Sequence, residues 1–547
     1  MSRDYRLAVN TADAAVPRIL TRQVLDRRSP DYGGFITERY GFASACHVGA
    51  GADLSTLVSA YVCPDSEVHL DRDLGRRLDL ALRFMLRKQN RDGTIDLEET
   101  NHNSSPDTGF VIQGMCPIYE LLMGTGKRHA KGMAGLAERF IRRAMRGMCR
   151  GGFHTPNHRW VIASALAHAN ALFPSREAVK GIEDYLAEGI DCNPDGQFTE
   201  RSTGVYNSVN DRSLITVAEK FNRPDLLPHV RRNLDMMYHM MHGDGTLVTA
   251  FSGRQDRGTR VDMSRYYSLY KTMAVRDRNG IYASLADFIV ERLMIPRDAA
   301  PPLTLFLERP ELISERVRRQ PLPTKYEKYF RRSGVARIRE GALSASLSVG
   351  ASCFFTLKWG NLELHGLKVA STFFGRGQFR GEKLKRVGRS YVMSQTASGD
   401  YRLPLSPEDR VPPGDWAAMD HAKRRRVNAL TLTTTATVTR VEGGFDIRVQ
   451  ADGYPGVPLQ VELWFEGGGK LSAEGVFYDK APEGPFILRK GVATYQVGDF
   501  GVTFGPGEMR HAMTTPRGSE PKGPGVSACI NDRTPVDRVV RIRLRRY

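Results

Sequence analysis

Four short polar stretches, each just ahead of an apolar helix-like run, hold most of the residues able to do chemistry. They are Asn101-His102-Asn103-Ser104-Ser105-Pro106-Asp107, His154-Thr155-Pro156-Asn157-His158-Arg159-Trp160, Glu200-Arg201-Ser202-Thr203-Gly204-Val205-Tyr206-Asn207 and Ser252-Gly253-Arg254-Gln255-Asp256-Arg257-Gly258. Ser105, Thr155 and either Ser202 or Thr203 read as N-caps, with Pro106 and Pro156 as first helical residues. That places Asn157, His158 and Tyr206 in first turns. Helix starts carry unpaired N–H groups and the positive end of the helix dipole. A mouth where several starts meet, lined by Asn157, His158, Tyr206, Arg254 and Arg257, suits an anion such as a carboxylate. His102, Asn103, Arg159 and Arg201 lie in the same stretches and join Arg254 and Arg257 as candidate substrate contacts. Tyr266 is a candidate for stacking on a sugar ring. Plainer roles compete: Asn157 and His158 as helix-end partners, Tyr206 as a core tyrosine, the arginines as a solvated loop. Asp195 and Asp244 read as turn residues.

The elements that must position these groups repeat. A glycine turn followed by an apolar residue recurs at Gly33-Gly34-Phe35, Asp92-Gly93-Thr94-Ile95, Gly151-Gly152-Phe153, Asp195-Gly196-Gln197-Phe198 and Asp244-Gly245-Thr246-Leu247. The spacing is that of a helical hairpin plus loops. One set of helices, near 53, 106, 156, 203 and 261, is apolar on all sides, as 160–172 shows. The other, near 71–88, 129–148, 175–186, 224–241 and 281–293, carries a single apolar stripe: Leu74, Leu78, Leu82 and Met85 in one, Met133, Leu136, Phe140, Ala144 and Met148 in another. Alternating buried and amphipathic helices predict an inner and an outer ring, an α/α-toroid of hairpins over 1–295. An α-solenoid would also repeat, but with both helices amphipathic. Proline-rich chemistry over 296–333 reads as a linker. From 334 to 547 the pattern alternates with period two. Strands are expected at 335–338, 343–349, 354–359, 429–441, 445–450, 459–465, 492–497 and 539–544, packed as an antiparallel β-sandwich. The fold class is thus multidomain, α then β.

Composition narrows the partners. The chain has 547 residues and a net charge of +18, a field that favours polyanions: nucleic acid, acidic lipid or acidic polysaccharide. Basic runs at Lys383-Leu384-Lys385-Arg386 and Lys423-Arg424-Arg425-Arg426 come without a nucleic-acid-binding motif. No apolar run is long enough to span a bilayer. Seven scattered cysteines show no metal or redox spacing, and the first twenty residues lack signal-peptide character. A cytoplasmic protein with free thiols is expected, periplasmic or secreted if a leader has been removed. His239 and His242 stand three apart on a helix with no evident third ligand, so no metal is assigned.

At Asn157-His158 and Tyr206 the sequence resembles the toroid-type polysaccharide lyases, the heparinase II/III-like enzymes and toroid alginate lyases. They share an adjacent Asn and His on an inner helix and a tyrosine about fifty residues on, after an Asp-Gly, aromatic, Glu, Ser stretch like 195–206. The motif covers about 150–210; the order toroid then sandwich matches over most of the chain. The resemblance implies β-elimination on an acidic oligo- or polysaccharide containing uronic acid, with no redox cofactor. Asn157 would neutralise the carboxylate, His158 or Tyr206 would take the proton on the adjacent carbon, and Tyr206 would protonate the leaving oxygen. The resemblance departs at Leu362-Glu363-Leu364-His365-Gly366, where a single histidine replaces a His-rich motif, leaving His365 as a candidate contact only. Two readings compete. A glycoside hydrolase on the same scaffold would use paired carboxylates from among Asp107, Glu200, Asp211, Asp244 and Asp256. A polyanion-binding protein would turn nothing over.

Overall fold

The computed structural model describes residues 2–412 and 414–547. They form two compact units, Met1–Pro323 and Thr324–Tyr547.

In the first unit α1 (Arg3–Thr21) precedes five hairpins. Their inner members are α2 (Ala50–Val62), α4 (Ser105–Gly124), α6 (Pro156–Leu172), α8 (Tyr206–Lys220) and α10 (Tyr267–Asp277). Their outer members are α3 (Arg72–Lys88), α5 (Arg128–Arg150), α7 (Arg176–Ala187), α9 (Leu227–Met240) and α11 (Gly280–Ile289). The composition contrast has the expected cause. In α6 every residue from Trp160 to Ala169 is buried, whereas α3 buries one stripe, Leu74, Leu78, Leu82 and Met85 among it, and turns its arginines outward. Most of the glycine turns must clear an outer helix, while Gly151 clears Ser105 of α4. Gly93 (φ +95°) and Gly196 (φ +97°) lie where a Cβ would stand 1.9 Å from the Arg143 carbonyl oxygen and 2.1 Å from that of Arg232, so only glycine fits.

The inner helices run in parallel, as their contacts show level by level. At the C-terminal end Glu120 of α4 bonds His168 of α6 (2.8 Å) and Lys220 of α8 (3.0 Å). Midway, Gln113 donates to Ser164 (2.7 Å) and Ser213 (3.1 Å). The N-termini therefore share one end. The ring is closed by elements that the repeat did not announce. Asp4 of α1 accepts from Tyr267 (2.7 Å) and Lys271 (3.3 Å) of α10, while Tyr5 donates to Asp65, just past α2 (2.7 Å). The stretch expected as a linker is mostly part of this unit: α12 (Leu303–Glu308) seats Phe306 against Tyr5 and bonds Thr304 to Ser55 and Ser59 of α2. Residues up to Pro323 fold on the toroid, and the first strand of the second unit, Lys325–Phe330, lies inside the expected linker. Apolar side chains spaced for burial, Leu303, Phe306 and Leu312, explain why the proline-rich segment docks.

The second unit is a sandwich of two nine-stranded sheets. One runs Val476–Tyr478, Lys470–Ala473, Ala493–Val497, Phe500–Gly505, Val536–Arg546, Gly444–Gly453, Arg426–Val441, Ser390–Arg402, Leu384–Val387. The other runs Gly484–Ile487, Val526–Arg533, Pro458–Phe465, Leu362–Ser371, Phe355–Trp359, Leu343–Ser348, Val335–Glu340, Lys325–Phe330, with Gly377–Gln378 beside Leu362–Ser371. Among these pairings only Gly484–Ile487 with Val526–Arg533 is parallel. Inward residues of both sheets interdigitate; Phe355 meets Phe445 at 5.0 Å between ring centres. All seven cysteines are free thiols. Among the described residues no helix is long and apolar enough to cross a membrane, and no group of three His, Cys, Asp or Glu is arranged for a metal.

Candidate active site

The convergent N-termini bring two side-chain chains together at Asn157-His158. Thr155 flanks α6 as expected, but its hydroxyl accepts from Asn157 Nδ2 (3.1 Å) rather than from a backbone N–H. The other Nδ2 bond goes to Glu200 Oε1 (3.0 Å). Glu200 faces Arg254 Nε at 3.5 Å, and the Arg254 guanidinium lies over the Tyr206 ring, 4.9 Å from its centre. Gln255 Nε2 donates to the Tyr206 hydroxyl (2.6 Å). On the other side His158 meets His154 (4.7 Å) and Phe110 (6.3 Å) edge to face, and Phe110 stacks on His47 (4.8 Å). His47 Nδ1 stands 3.7 Å from Asp107 Oδ1.

Local folding explains each placement. Ser202, one of the two expected caps, accepts the Tyr206 N–H (3.1 Å) and so starts α8 at Tyr206. The loop carrying Arg254 and Gln255 is pinned by Asp256, which accepts from Ser202 Oγ (3.0 Å), Ser252 Oγ (2.5 Å) and Gly204 N–H (2.9 Å). For α4 the cap is Ser104, one residue before the expected Ser105, because Ser104 Oγ accepts the Asp107 N–H.

The electrostatics are unusual in two places. Burial, reinforced by His154, pushes the His158 imidazole down to about 4, with Asp107 opposing and Arg254 and His47 adding to the fall. His158 is 8% exposed and its Nδ1 has no partner, so near neutral pH it is an uncharged ring able to accept a proton. Glu200 is raised by burial, against the opposing pull of Asn157 and Arg254, and its Oε2 is unpartnered.

Asn157, His158, Tyr206 and Arg254 are thus assembled as one cluster. Arg201 and Arg257 join its edge: Arg201 lies over Phe251 (5.2 Å), its guanidinium felt by Arg257, which donates Nε to Ser252 O (2.7 Å). His102 and Asn103 sit on an exposed hairpin; His102 is 3.7 Å from Asp96, whose Oδ1 accepts the Asn103 N–H. Two expectations need correction. Arg159 does not join the cluster: its guanidinium is engaged by Glu188 (2.8 Å) and Asp191 (3.3 Å) and lies over Trp160. Tyr266 stacks on no sugar: it is fully buried, its hydroxyl donating to Thr203 O (2.6 Å). His365 belongs to the second unit, on strand Leu362–Ser371, beside Glu363 (3.4 Å) and Trp464 (4.8 Å). Among residues with no role assigned from sequence are His47, Phe110, His154 and Gln255. His47 had a legible signal, since it too precedes an apolar helix. Gln255 had none, since its place depends on the Asp256 pin.

The fold is the toroid-plus-sandwich architecture of solved polysaccharide lyases. A xanthan lyase from Paenibacillus superposes with a TM-score of 0.60 at 11% identity over 92% of this chain and 51% of its own. The chain therefore spans about half of that protein's length. A chondroitin AC lyase from Streptomyces coelicolor A3, solved with chondroitin sulphate, gives 0.58 at 13% identity, over 100% of this chain and 80% of its own. A heparan sulfate lyase mutant from Pedobacter heparinus gives 0.55 at 11%, over 100% and 84%. No protein-family model and no curated sequence matches the chain.

Proposed function

We propose that the protein is a polysaccharide lyase that cleaves uronic-acid-containing glycans by β-elimination. The observation that carries this reading is the uncharged His158 held in one cluster with Tyr206, Arg254 and the Asn157–Glu200 pair. The toroid lyases that share the fold support it at the level of class.

A uronate carboxylate entering at the helix N-termini would meet Asn157, Glu200 and Arg254. Both Asn157 Nδ2 hydrogens are already donated, so the positive charge that meets the carboxylate comes from Arg254, and the burial that raises Glu200 lessens its repulsion. Charge that builds on the carboxylate as the carbon acid ionises is stabilised there. His158 takes the proton from the carbon beside the carboxylate. The C–H electron pair becomes the new carbon–carbon double bond, and the glycosidic C–O bond breaks. Tyr206 accepts from Gln255, which leaves its own hydrogen to protonate the departing oxygen.

Three of the five carboxylates open to the hydrolase alternative are engaged or enclosed. Asp256 is saturated by three donors, Asp244 is folded onto Thr246 in its turn (3.0 Å), and Asp211 is fully buried. Incubation with alginate, glucuronan, heparan sulfate, hyaluronan, chondroitin, xanthan and pectic fragments tests the proposal. A rise in ultraviolet absorbance with any of them is the expected result, since elimination leaves a conjugated double bond. New reducing ends without that rise would overturn it.

A further inference from the structure

The sandwich unit carries an aromatic groove that the toroid chemistry does not use. About 580 Å³ in volume, it is walled by Phe374, Tyr401 and Tyr454, with Leu430 at its base and Thr372 and Asn428 as polar lining. Tyr401 is 61% exposed, Tyr454 50% and Phe374 37%. Phe374 and Tyr401 lie 5.6 Å apart, ring centre to ring centre. Large aromatic faces clustered in the open are uncommon on a surface with no partner.

The backbone around the groove is built for this display. Phe374 has φ +49°, a left-handed conformation rare for a bulky side chain, and Asn428 also has φ +49°. Asn428 is the extra residue of a bulge: Gly399 pairs with Leu430 but Tyr401 pairs with Val427. The bulge bends the strand pair at Tyr401. Gly399 leaves room for the Phe374 ring, which a Cβ there would meet at 2.2 Å. Strain held at two positions that both line one groove points to a site rather than to packing.

Charge selects the occupant. Residues 324–547 hold 35 Lys and Arg against 22 Asp and Glu, a net +13 of the chain's +18. At the groove itself the exposed Arg533 donates Nε to the carbonyl oxygen of the lining residue Gly456 (3.2 Å), which sets a cation at its rim. Pyranose rings present apolar C–H faces that match the negative face of an aromatic ring. We infer that this groove is a non-catalytic binding site for an acidic polysaccharide, its sugar rings stacked on Tyr401, Phe374 and Tyr454 and its carboxylates or sulfates facing Arg533 and the positive field of the unit. The inference stands whether or not the toroid cuts the same polymer.

Affinity electrophoresis of the full chain tests it, in native gels containing heparan sulfate, hyaluronan, chondroitin sulfate, alginate or xanthan, with dextran as an uncharged comparison. The wild type should be retarded by at least one acidic polymer, less so as salt rises. Tyr401→Ala with Tyr454→Ala should weaken that retardation about tenfold, through the loss of two stacking faces. Both side chains are half exposed or more, so the fold and melting temperature should be unchanged. Phe477→Ala, 67% exposed on the far edge strand of the same sheet, should behave as wild type. Gly399→Ala, which displaces the Phe374 ring, should weaken retardation in the same direction. Equal retardation of the double variant and wild type would overturn the site. Dextran retarding as strongly as every acidic polymer would overturn the acidic occupant, and no retardation by any acidic polymer would overturn both.

Discussion

His158 offers a test that needs no substrate. Its imidazole falls from an ordinary 6.5 to about 4, burial being the main cause. The unfolded chain therefore binds this proton more readily than the folded one anywhere between those two values. Above pH 6.5 the ring is neutral in both states and contributes no pH dependence. As the pH falls from 6.5 toward 4 the unfolded state gains a proton that the folded state refuses, and stability drops; below 4 the loss is complete. At about 1.4 kcal/mol per pH unit the full loss is roughly 3 kcal/mol, of which about 2.5 kcal/mol is reached by pH 4.5. His158→Gln removes the titrating group and keeps a polar side chain of similar reach. Urea unfolding of both proteins at pH 7.5 and pH 4.5 gives four free energies. The wild type should lose roughly 2.5 kcal/mol more than the variant between the two conditions, whatever the variant costs at pH 7.5. Carboxylates common to both proteins largely cancel in that difference. Parallel losses would refute the picture of a ring held neutral by burial, and with it the source of the proposed general base.

Three further outcomes are expected. Tyr206→Phe removes one hydroxyl from a half-buried ring and should abolish the ultraviolet signal while leaving circular dichroism and melting unchanged; near-normal turnover would remove Tyr206 from the mechanism. Glu200→Ala should lower kcat by roughly a hundredfold, the usual scale for losing one polar group at the reacting centre, whereas Glu200→Gln, which still accepts from Asn157 without the charge, should stay within about tenfold of wild type; equal loss in both, measured by initial rates, would show that holding Asn157 is not what this position supplies. Arg159→Ala should depress the melting temperature, since it strips a largely buried guanidinium from Glu188 and Asp191, yet leave KM unchanged; a large rise in KM would restore it as a substrate contact.

Much of this architecture was legible because burial writes itself into composition. Inner helices of a ring touch neighbours on every side, so 160–172 is apolar all round, while 72–88 keeps one stripe. The element that closes the ring was not legible in the same way. The buried stripe of α1, Tyr5, Ala8, Val9, Ala12, Val16 and Ile19, is thin and alanine-rich, and its closing contacts, Asp4 to Tyr267 and Lys271, span more than 260 residues. At the site, sequence spacing identified which helix starts converge but not which way each side chain turns. Asn157 and His158 enter the cluster, while Arg159, two residues or about 200° of helix beyond Asn157, faces the opposite side and its carboxylate partners. The same limit explains Glu200. Its neighbour Ser202 could be read as a cap, yet the carboxylate meets Asn157 only because the next hairpin's loop is locked to the α8 start through Asp256. Helix starts supply the fixed positive field, and they do so in any ring whose inner helices run in parallel. Glu200, Arg254 and Gln255, which the proposed mechanism uses, are carried by loops tied to one carboxylate with three donors. Loss of the Asp256 pin should therefore disturb Tyr206 and Glu200 together, because the Ser202 cap and the Arg254 loop hang from the same side chain.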